Sequence, residues 1–171
     1  MQPFEIRKLT ETDAAAWWHL RLEALERDAQ AFSSAAEDHR KTTIEDAAAR
    51  IASDGSENFI LGAFRENTLA AVAGFYREQE LKSRHKGHIW GVYVTEAARG
   101  AGMGRALMRA LIEQARVQRG LEQIVLTVTS GQLAARRLYE SLGFKAFGRE
   151  PRALRVGGRY LDEDYYVLML V

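Results

Sequence analysis

The stretch RGAGMGRALM, which covers Arg99–Met108, decides how the rest of this chain is interpreted. It follows an apolar, strand-like segment, HIWGVYV (His88–Val94), and leads into a pattern typical of an amphipathic helix. Glycine alternates with small or flexible residues in it, and an arginine stands at its start. A backbone with so little side-chain bulk between a strand and a helix suggests that a ligand or another part of the chain approaches it closely.

The position of the glycines predicts a turn that binds a phosphate. The first amide groups of a helix have no partner within the helix and carry partial positive charge, so an anion binds there. Gly100, Gly102 and Gly104 would let several amides converge on one anion without side-chain bulk. Arg99 and Arg105 add positive charge nearby. From these residues alone, a glycine-rich turn without a ligand remains the alternative.

Two widespread phosphate-binding motifs do not match this turn. The Rossmann dinucleotide motif is G-x-G-x-x-G, and Arg105 stands where its last glycine is required. Glu122 has about the spacing of the acidic residue that binds ribose, but it begins a predicted strand, whereas the Rossmann acid ends one. The P-loop motif G-x-x-x-x-G-K-[ST] does not occur. A dinucleotide-binding oxidoreductase therefore stays as a rival interpretation only.

Length, charge and composition predict one globular domain over residues 1–171. The chain is 47% hydrophobic and 27% charged, with a formal net charge of +1, which gives no strong field for nucleic acid or a membrane surface. It contains no cysteine, which excludes disulfides and thiolate metal ligands. Its N-terminus is polar without an apolar signal core, and no apolar run is long enough to span a bilayer. We therefore expect a cytoplasmic protein.

Periodicity and turn signals predict elements in the order β-α-α-β-β-β-α-β-α-β-β. Thr43 with Asp46 forms a capping pattern, and Glu66-Asn67 is a short hairpin signal. The predicted strands are Phe4–Thr10, Asn58–Arg65, Thr68–Glu78, His85–Val94, Leu121–Thr129, Phe144–Glu150 and Tyr165–Val171. The predicted helices are Thr10–Ala29, Thr42–Ser56, Gly102–Gly120 and Gln132–Gly143. The chain is thus expected to be one mixed α/β domain.

Two motifs in the expected order resemble those of the GNAT superfamily of N-acetyltransferases. The R-x-x-G-x-G pattern of Arg99, Gly102 and Gly104 is similar to that family's acyl-CoA pyrophosphate loop. Downstream, AARRLYESLGF (Ala134–Phe144) resembles its next signature, a helix with A-x-x-L-Y followed by G-F. The resemblance implies an α/β fold with a central, mostly antiparallel sheet of six to seven strands, the fourth and fifth splayed, and about four flanking helices. It also implies acetyl-CoA as cosubstrate and no metal.

The resemblance implies which residues hold acetyl-CoA. Backbone groups of Val92, Tyr93 and Val94 on the fourth strand would pair with the pantetheine arm, as an added strand would. Gln132 stands where the family often has asparagine, and its longer amide would have to reach differently. The pyrophosphate would lie against a continuous run, which consists of Arg99, Gly100, Ala101, Gly102, Met103, Gly104 and Arg105.

The resemblance also implies catalytic roles. Tyr139 matches the family tyrosine that often protonates the departing CoA thiolate, and a phenol is neutral at pH 7 and able to donate. A tyrosine of the core is the alternative. His88 lies where some members carry a catalytic Glu or His, and histidine titrates near neutral pH, which suits a base. Glu78, or an amine that arrives already deprotonated, is the alternative to His88.

Two segments are expected to build the pocket for the acceptor amine. One is Asp28–Lys41, with Phe32 and several polar residues, and Trp90 would lie on the same strand face as His88. The other is Arg155–Tyr165, where the side chains suited to hold a cation are Tyr160, Asp162 and Glu163. The alternative for this second segment is a solvated hairpin that turns at Gly157-Gly158.

The combined prediction is an enzyme that moves the acetyl group of acetyl-CoA directly to a primary amine of a small molecule or a peptide. Without cysteine, a cysteinyl acyl-enzyme is impossible. A non-catalytic acyl-CoA-binding module on the same fold is the alternative, since a fold does not fix a function. A homodimer is compatible with the resemblance, and the sequence does not name the acceptor.

Overall fold

The computed structural model describes residues 4–53 and 55–170. The strands are β1 (Glu5–Lys8), β2 (Phe59–Arg65), β3 (Thr68–Arg77), β4 (Lys86–Val94), β5 (Gln123–Thr129), β6 (Lys145–Val156) and β7 (Arg159–Met169). The helices are α1 (Ala14–Arg27), α2 (Ala36–His39), α3 (Ile44–Ala52), α4 (Met103–Arg116) and α5 (Leu133–Ser141). Three short 3-10 turns, Glu11–Asp13, Ala29–Ala31 and Glu96–Ala98, complete the described part. Val171, at the end of the predicted closing strand, and Asp54, in the predicted second helix, lie outside it.

The strands form one seven-stranded sheet in the order β1-β2-β3-β4-β5-β7-β6. Within the described residues every neighbouring pair is antiparallel except β4 and β5, which run parallel. These two strands pair only from Lys86 opposite Gln123 to His88 opposite Val125. Beyond that point β4 continues to Val94 and β5 to Thr129 without pairing, so the strands separate into a V-shaped gap. The predicted mixed fold, with its mostly antiparallel sheet and splayed fourth and fifth strands, is confirmed.

Each face of the sheet is covered by its own helices and its own core. On one face α4 contributes fully buried side chains such as Leu107 and Leu111 to the larger cluster, and α5 contributes Tyr139. On the other face α1 and α3 contribute Trp17 and Ile51 to a second cluster. The gap between β4 and β5 therefore opens between two helical layers, each of which is anchored by its own buried apolar area.

A bulge in β4 changes which of its side chains face α1. Trp90 lies opposite Gly74 and Tyr93 lies opposite Val72, so β4 has one residue more than β3 between these pairs. Gly91 takes the left-handed conformation that this arrangement requires, with φ of +63°. As a result Trp90 and Tyr93, which are three positions apart, both contact the second cluster, the one that contains Trp17 and Ile51.

Local sequence signals set several element boundaries. The Thr43 hydroxyl accepts the Asp46 amide at 3.1 Å, and the Asp46 carboxylate accepts the Thr43 amide at 2.7 Å, which is the capping box predicted for α3. Glu66 and Asn67 both have positive φ, as the predicted tight hairpin between β2 and β3 requires. These predictions of local structure are confirmed.

The closing hairpin is longer than the sequence predicted. β6 continues past Glu150 to Val156, and β7 begins at Arg159 rather than at Tyr165. The predicted second acceptor wall, residues 155–165, is consequently a hairpin tip that turns at Gly157 and Gly158, both with positive φ. The sequence did not predict these extensions because they are rich in charged residues and lack a strand's apolar pattern. Such a composition is possible because β6 lies at an open edge of the sheet and has little apolar surface to bury.

Candidate functional site

The gap between β4 and β5 forms a cavity of about 540 Å³. Its walls come from β4, from the turn after β4, from α5 and from the segment after α1. Most predicted site residues meet there. Those that line it are Phe32, Trp90, Val92, Tyr93, Val94, Arg99, Gly100, Gly102, Met103, Gly104, Arg105, Gln132 and Tyr139. The predicted residues Ala101, His88, Tyr160 and Asp162 do not line this cavity.

The glycines of the turn are needed for two different reasons. Gly100 and Gly102 have φ of +78° and +76°, a conformation that other residues rarely adopt, and Gly102 is the residue from which α4 begins. A Cβ atom at either position would meet no atom within 4 Å, so the space above them is open. At Gly104 a Cβ atom would lie 3.3 Å from the Val94 side chain, so this glycine allows α4 to pack closely against β4.

Arg99 is already engaged on the protein side of the cavity. Its Nη2 donates to Asp28 Oδ2 at 2.6 Å and its Nε donates to the Val94 carbonyl at 3.0 Å. Its guanidinium also lies over the ring of Tyr93, 5.6 Å from the centroid. The 28–34 segment is thereby attached to the glycine turn, an attachment that the sequence motif gave no means to foresee.

Tyr139 projects from α5 into the cavity and is 7% exposed. Its ring packs edge-on against Phe144, with the centroids 6.1 Å apart. Burial raises the pKa of Tyr139 to about 12, and no charged neighbour contributes to this shift. The phenol is therefore neutral at physiological pH and retains its proton for donation. Gln132, at the start of α5, lines the same cavity.

His88 lies just outside the cavity, at the point where β4 and β5 part. Its Nε2 is 2.8 Å from Glu78 Oε1, and its ring stacks on Tyr76 with the centroids 4.7 Å apart. The two groups that the sequence offered as alternative bases, His88 and Glu78, are thus partners of each other. Both are engaged away from the glycine turn.

Of the polar side chains expected from the last hairpin, Glu163 alone reaches the main cavity. It lies opposite Thr129, so both side chains project from one face of the sheet, and the Thr129 hydroxyl donates to the Gln30 carbonyl at 2.6 Å on that face. Burial, with a smaller effect of the Glu150 charge, raises the pKa of Glu163.

The other two hairpin residues have partners within the hairpin. Tyr160 is 54% exposed, and Arg152 and Arg155 lie over its ring. Asp162 accepts the Arg152 amide at 2.9 Å. Both residues thus serve the hairpin tip, which extends away from the cavity.

A smaller cavity of about 240 Å³ adjoins the main one. Phe32, Ser33, Trp90 and Gly91 line both cavities, so the two lie side by side at Trp90. The remaining residues of the smaller cavity come from α1, α3 and β3 and from the segment after α1. They are Arg21, Arg50, Tyr76 and Ser34.

Sequence reasoning missed the two arginines. Both lie in segments whose periodicity is that of an ordinary amphipathic helix, and the residues around them form no motif.

In the described part of the chain, no group of three or more His, Cys, Asp or Glu side chains is arranged to hold a metal ion. None of the described helices has the length and apolar character needed to cross a membrane.

The chain belongs to the GNAT acetyltransferase family, since the model of the Acetyltransferase (GNAT) family matches residues 16–144. The fold agrees with solved members. The acetyltransferase of GNAT family from Streptococcus pneumoniae superposes with a TM-score of 0.86 at 25% identity, over 98% of this chain and 99% of that one. The structure of yncA from Salmonella typhimurium, solved with its cofactor acetyl-CoA, superposes with a TM-score of 0.85 at 26% identity, over 99% of this chain and 95% of that one.

Curated relatives match over shorter stretches. The L-methionine sulfoximine/L-methionine sulfone acetyltransferase of Pseudomonas aeruginosa is 42% identical over 79 residues, which are 46% of this chain and 45% of that protein. The mycothiol acetyltransferase of Thermobispora bispora is 48% identical over 58 residues, or 34% of this chain and 19% of that protein. The chain therefore matches less than half the length of these relatives.

Proposed function

We propose that this protein is an acetyl-CoA-dependent N-acetyltransferase that transfers the acetyl group directly to a primary amine of a small molecule or peptide. The observation that carries the proposal is the cavity between β4 and β5, which joins the glycine turn, the free edge of β4 and Tyr139 in one space. The relatives named above are acetyltransferases of small molecules, which supports a small acceptor.

On the coenzyme side, the turn Arg99–Arg105 would hold the pyrophosphate at the start of α4. The Arg99 guanidinium would then donate to a phosphate oxygen, either in place of Asp28 or in addition to it. The pantetheine would pair with β4 at Val92–Val94, where the strand has lost β5 as a neighbour. This arrangement brings the thioester to the bulge at Gly91, where an irregular backbone leaves an amide free to polarise the carbonyl.

In the transfer, the amine nitrogen forms a bond to the acetyl carbon and the carbon–sulfur bond of the thioester breaks. The departing sulfur needs a proton, and Tyr139, which lines the same cavity, would supply it. Its pKa of about 12 does not oppose this role. The burial that raises the pKa of the phenol also raises the pKa of a thiol whose thiolate forms in the same cavity. Holding both reactants in one cavity supplies further rate enhancement.

The amine must also lose a proton, since an alkylammonium has a pKa of about 10.4. We assign this step to Glu163, directly or through a water, because it is a carboxylate on the wall of the main cavity and faces the α1 layer. His88 remains the rival from the sequence, and it would need a water or a movement of Glu78 to act. Homodimer formation and a cytoplasmic location stay predictions.

The proposal is tested by thiol release from acetyl-CoA with a panel of primary amines, followed by Tyr139→Phe. We expect the substitution to lower kcat by about 100-fold or more while the affinity for acetyl-CoA stays within about twofold. Binding of acetyl-CoA without thiol release would instead identify an acyl-CoA-binding module, and thiol release in the absence of an amine would indicate hydrolysis of the thioester rather than transfer to an amine.

Tyr166→Phe is the matched control for this experiment. Tyr166 is also fully buried, but its hydroxyl accepts from Arg136 and contacts Glu140 outside the cavity. Its substitution should reduce the free energy of unfolding by about 1 kcal/mol and leave kcat within a few-fold of wild type. An equal loss of kcat in both variants would remove the acid role of Tyr139.

A further inference from the structure

The smaller cavity beside Trp90 contains two arginines from different helices. Arg21 belongs to α1 and Arg50 to α3, and both line the cavity. Their guanidinium carbons lie over the same Trp90 ring, 5.5 Å and 4.7 Å from its centroid. Two cations from separate elements thus converge on one aromatic surface, which adjoins the gap where acetyl transfer is proposed.

Neither arginine is balanced by a protein anion in the described residues. Arg77 and Arg84, by contrast, both pair with the Glu57 carboxylate. Arg21 donates only to the Ser34 hydroxyl, at 3.2 Å, and Arg50 forms no ion pair with a described carboxylate. No Asp or Glu lines the smaller cavity.

The energetics of Arg21 agree with an uncompensated site. Burial lowers the pKa of the Arg21 guanidinium, and the charge of Arg50 lowers it further. Stacking on Trp90 offsets part of this cost, since the face of an indole ring attracts a cation. Two like charges on one surface repel each other, and an anion bound between them would stabilise both. The paired N–H groups of a guanidinium match the two oxygens of a carboxylate in geometry.

We propose that Arg21 and Arg50 bind the carboxylate of the acceptor, so that the amine acetylated by this protein belongs to an amino acid. The inference rests on the proposed transfer to an amine and specifies its substrate class. Trp90, Phe32 and Gly91, which line both cavities, connect the carboxylate site to the thioester site. Glu163, the carboxylate of the main cavity that is not paired with Arg99 as Asp28 is, faces the same layer, so the two ends of a zwitterion meet opposite charges.

The first experiment compares amino acids with the amines that they yield on decarboxylation. L-leucine is paired with isoamylamine, L-phenylalanine with phenethylamine and L-methionine with 3-(methylthio)propylamine, and thiol release is measured. We expect kcat/KM to be at least tenfold higher for the amino acid of the preferred pair. β-Alanine and γ-aminobutyrate test the distance between amine and carboxylate, and we expect the α-amino acids to exceed both.

The second experiment removes the charge at Arg50, which is exposed and therefore replaceable without disturbing the core. Arg50→Gln should raise the KM for the amino acid at least tenfold and leave the KM for the matched amine within about twofold. Arg50→Lys should recover part of the preference for the amino acid over the amine, because lysine restores the positive charge but not the two parallel N–H donors of a guanidinium. Arg21→Gln should act in the same direction. Arg116→Gln on α4, whose partner is Glu113, is the control and should change neither KM.

The outcomes separate this inference from the function on which it rests. If amines and amino acids are used equally and Arg50→Gln changes neither, the carboxylate site is wrong and the enzyme assignment stands. If no amine releases thiol although acetyl-CoA binds, the enzyme assignment is wrong. In that case calorimetry with CoA and an N-acetyl amino acid decides the site. Equal affinity of wild type and Arg50→Gln for this probe would overturn it.

Discussion

The coenzyme side and the acceptor side of the cavity are built in different ways. The proposed coenzyme side consists of three continuous segments, the strand edge Val92–Val94, the turn Arg99–Arg105 and the helix α5, each carried by a few consecutive residues. The acceptor side takes single residues from separate elements, with Arg21 on α1, Arg50 on α3 and Trp90 on β4. Backbone amides and conformation dominate the first, whereas isolated side chains dominate the second.

This difference explains how one fold serves many acceptors. A diphosphate is the same in every acetyl-CoA, so its site can be a fixed backbone geometry that needs glycine at defined positions. An acceptor site made of side chains on helices changes by single substitutions without altering the sheet. The two sides should therefore respond differently to mutation: coenzyme affinity should be lost on one side, and acceptor KM should change on the other.

The largest effect is expected at the glycine turn. Gly102→Glu places a carboxylate where the pyrophosphate is proposed to bind, at a residue with φ of +76°. We expect the affinity for CoA to fall by at least about 100-fold, which corresponds to about 2.7 kcal/mol, through charge repulsion and backbone strain. Isothermal titration calorimetry with CoA measures it.

Gly158→Glu is the matched control for the turn. Gly158 has φ of +80°, a Cβ atom there would also meet nothing within 4 Å, and it lies at the tip of the last hairpin. The two variants thus share the added charge and the strained conformation. A similar loss of CoA affinity in both, or unchanged affinity in Gly102→Glu, would contradict the assignment of the turn.

Most residues that the sequence offered for the coenzyme line the main cavity, and the signals that singled them out are local. A glycine that must take a positive φ, or a tyrosine at a fixed distance from G-F, leaves a pattern within a short stretch. The capping box at Thr43 and the tight turn at Glu66-Asn67 are confirmed for the same reason. The splaying of the fourth and fifth strands followed from the resemblance and not from the periodicity of any strand.

The acceptor side was predicted poorly because it depends on long-range packing. Arg21 and Arg50 meet only because α1 and α3 pack side by side over Trp90. The prediction of Tyr160 and Asp162 rested on a loop before the last strand, whereas β6 and β7 continue through this segment as a hairpin whose register shifts twice. Glu163 reaches the cavity because of its register opposite Thr129, which the sequence alone does not specify.

A medium effect is expected at the proposed proton acceptor. Glu163→Gln should lower kcat/KM for the acceptor by about 10- to 100-fold and leave CoA affinity unchanged, because the amide cannot accept a proton. In wild type, kcat/KM should fall as the pH drops through the pKa of Glu163, which burial raises above the usual glutamate value. That acidic limb should be missing from the variant, whose remaining pH dependence follows the free amine.

His88→Ala is compared in the same pH series. If Glu163 is the base, the loss of rate in His88→Ala should be clearly smaller than in Glu163→Gln, and the acidic limb should persist. If His88 is the base, the reverse order is expected, and the acidic limb should disappear in His88→Ala and persist in Glu163→Gln. Either order identifies the group, and equal rates of both variants and wild type would show that the amine arrives already deprotonated.

The smallest effect is expected where the sheet supports Trp90. A Cβ atom at Gly74 would lie 2.2 Å from the indole, so Gly74→Ala must displace the ring over which Arg21 and Arg50 lie. We expect the acceptor KM to rise by about three- to tenfold and the free energy of unfolding to fall by about 1–3 kcal/mol, with CoA affinity unchanged. Gly87→Ala crowds Phe75 to 2.3 Å in the cluster on the other face of the sheet, and should cost similar stability without changing the acceptor KM. If both variants raise this KM equally, the effect belongs to strain in the sheet as a whole, and Trp90 does not position the acceptor.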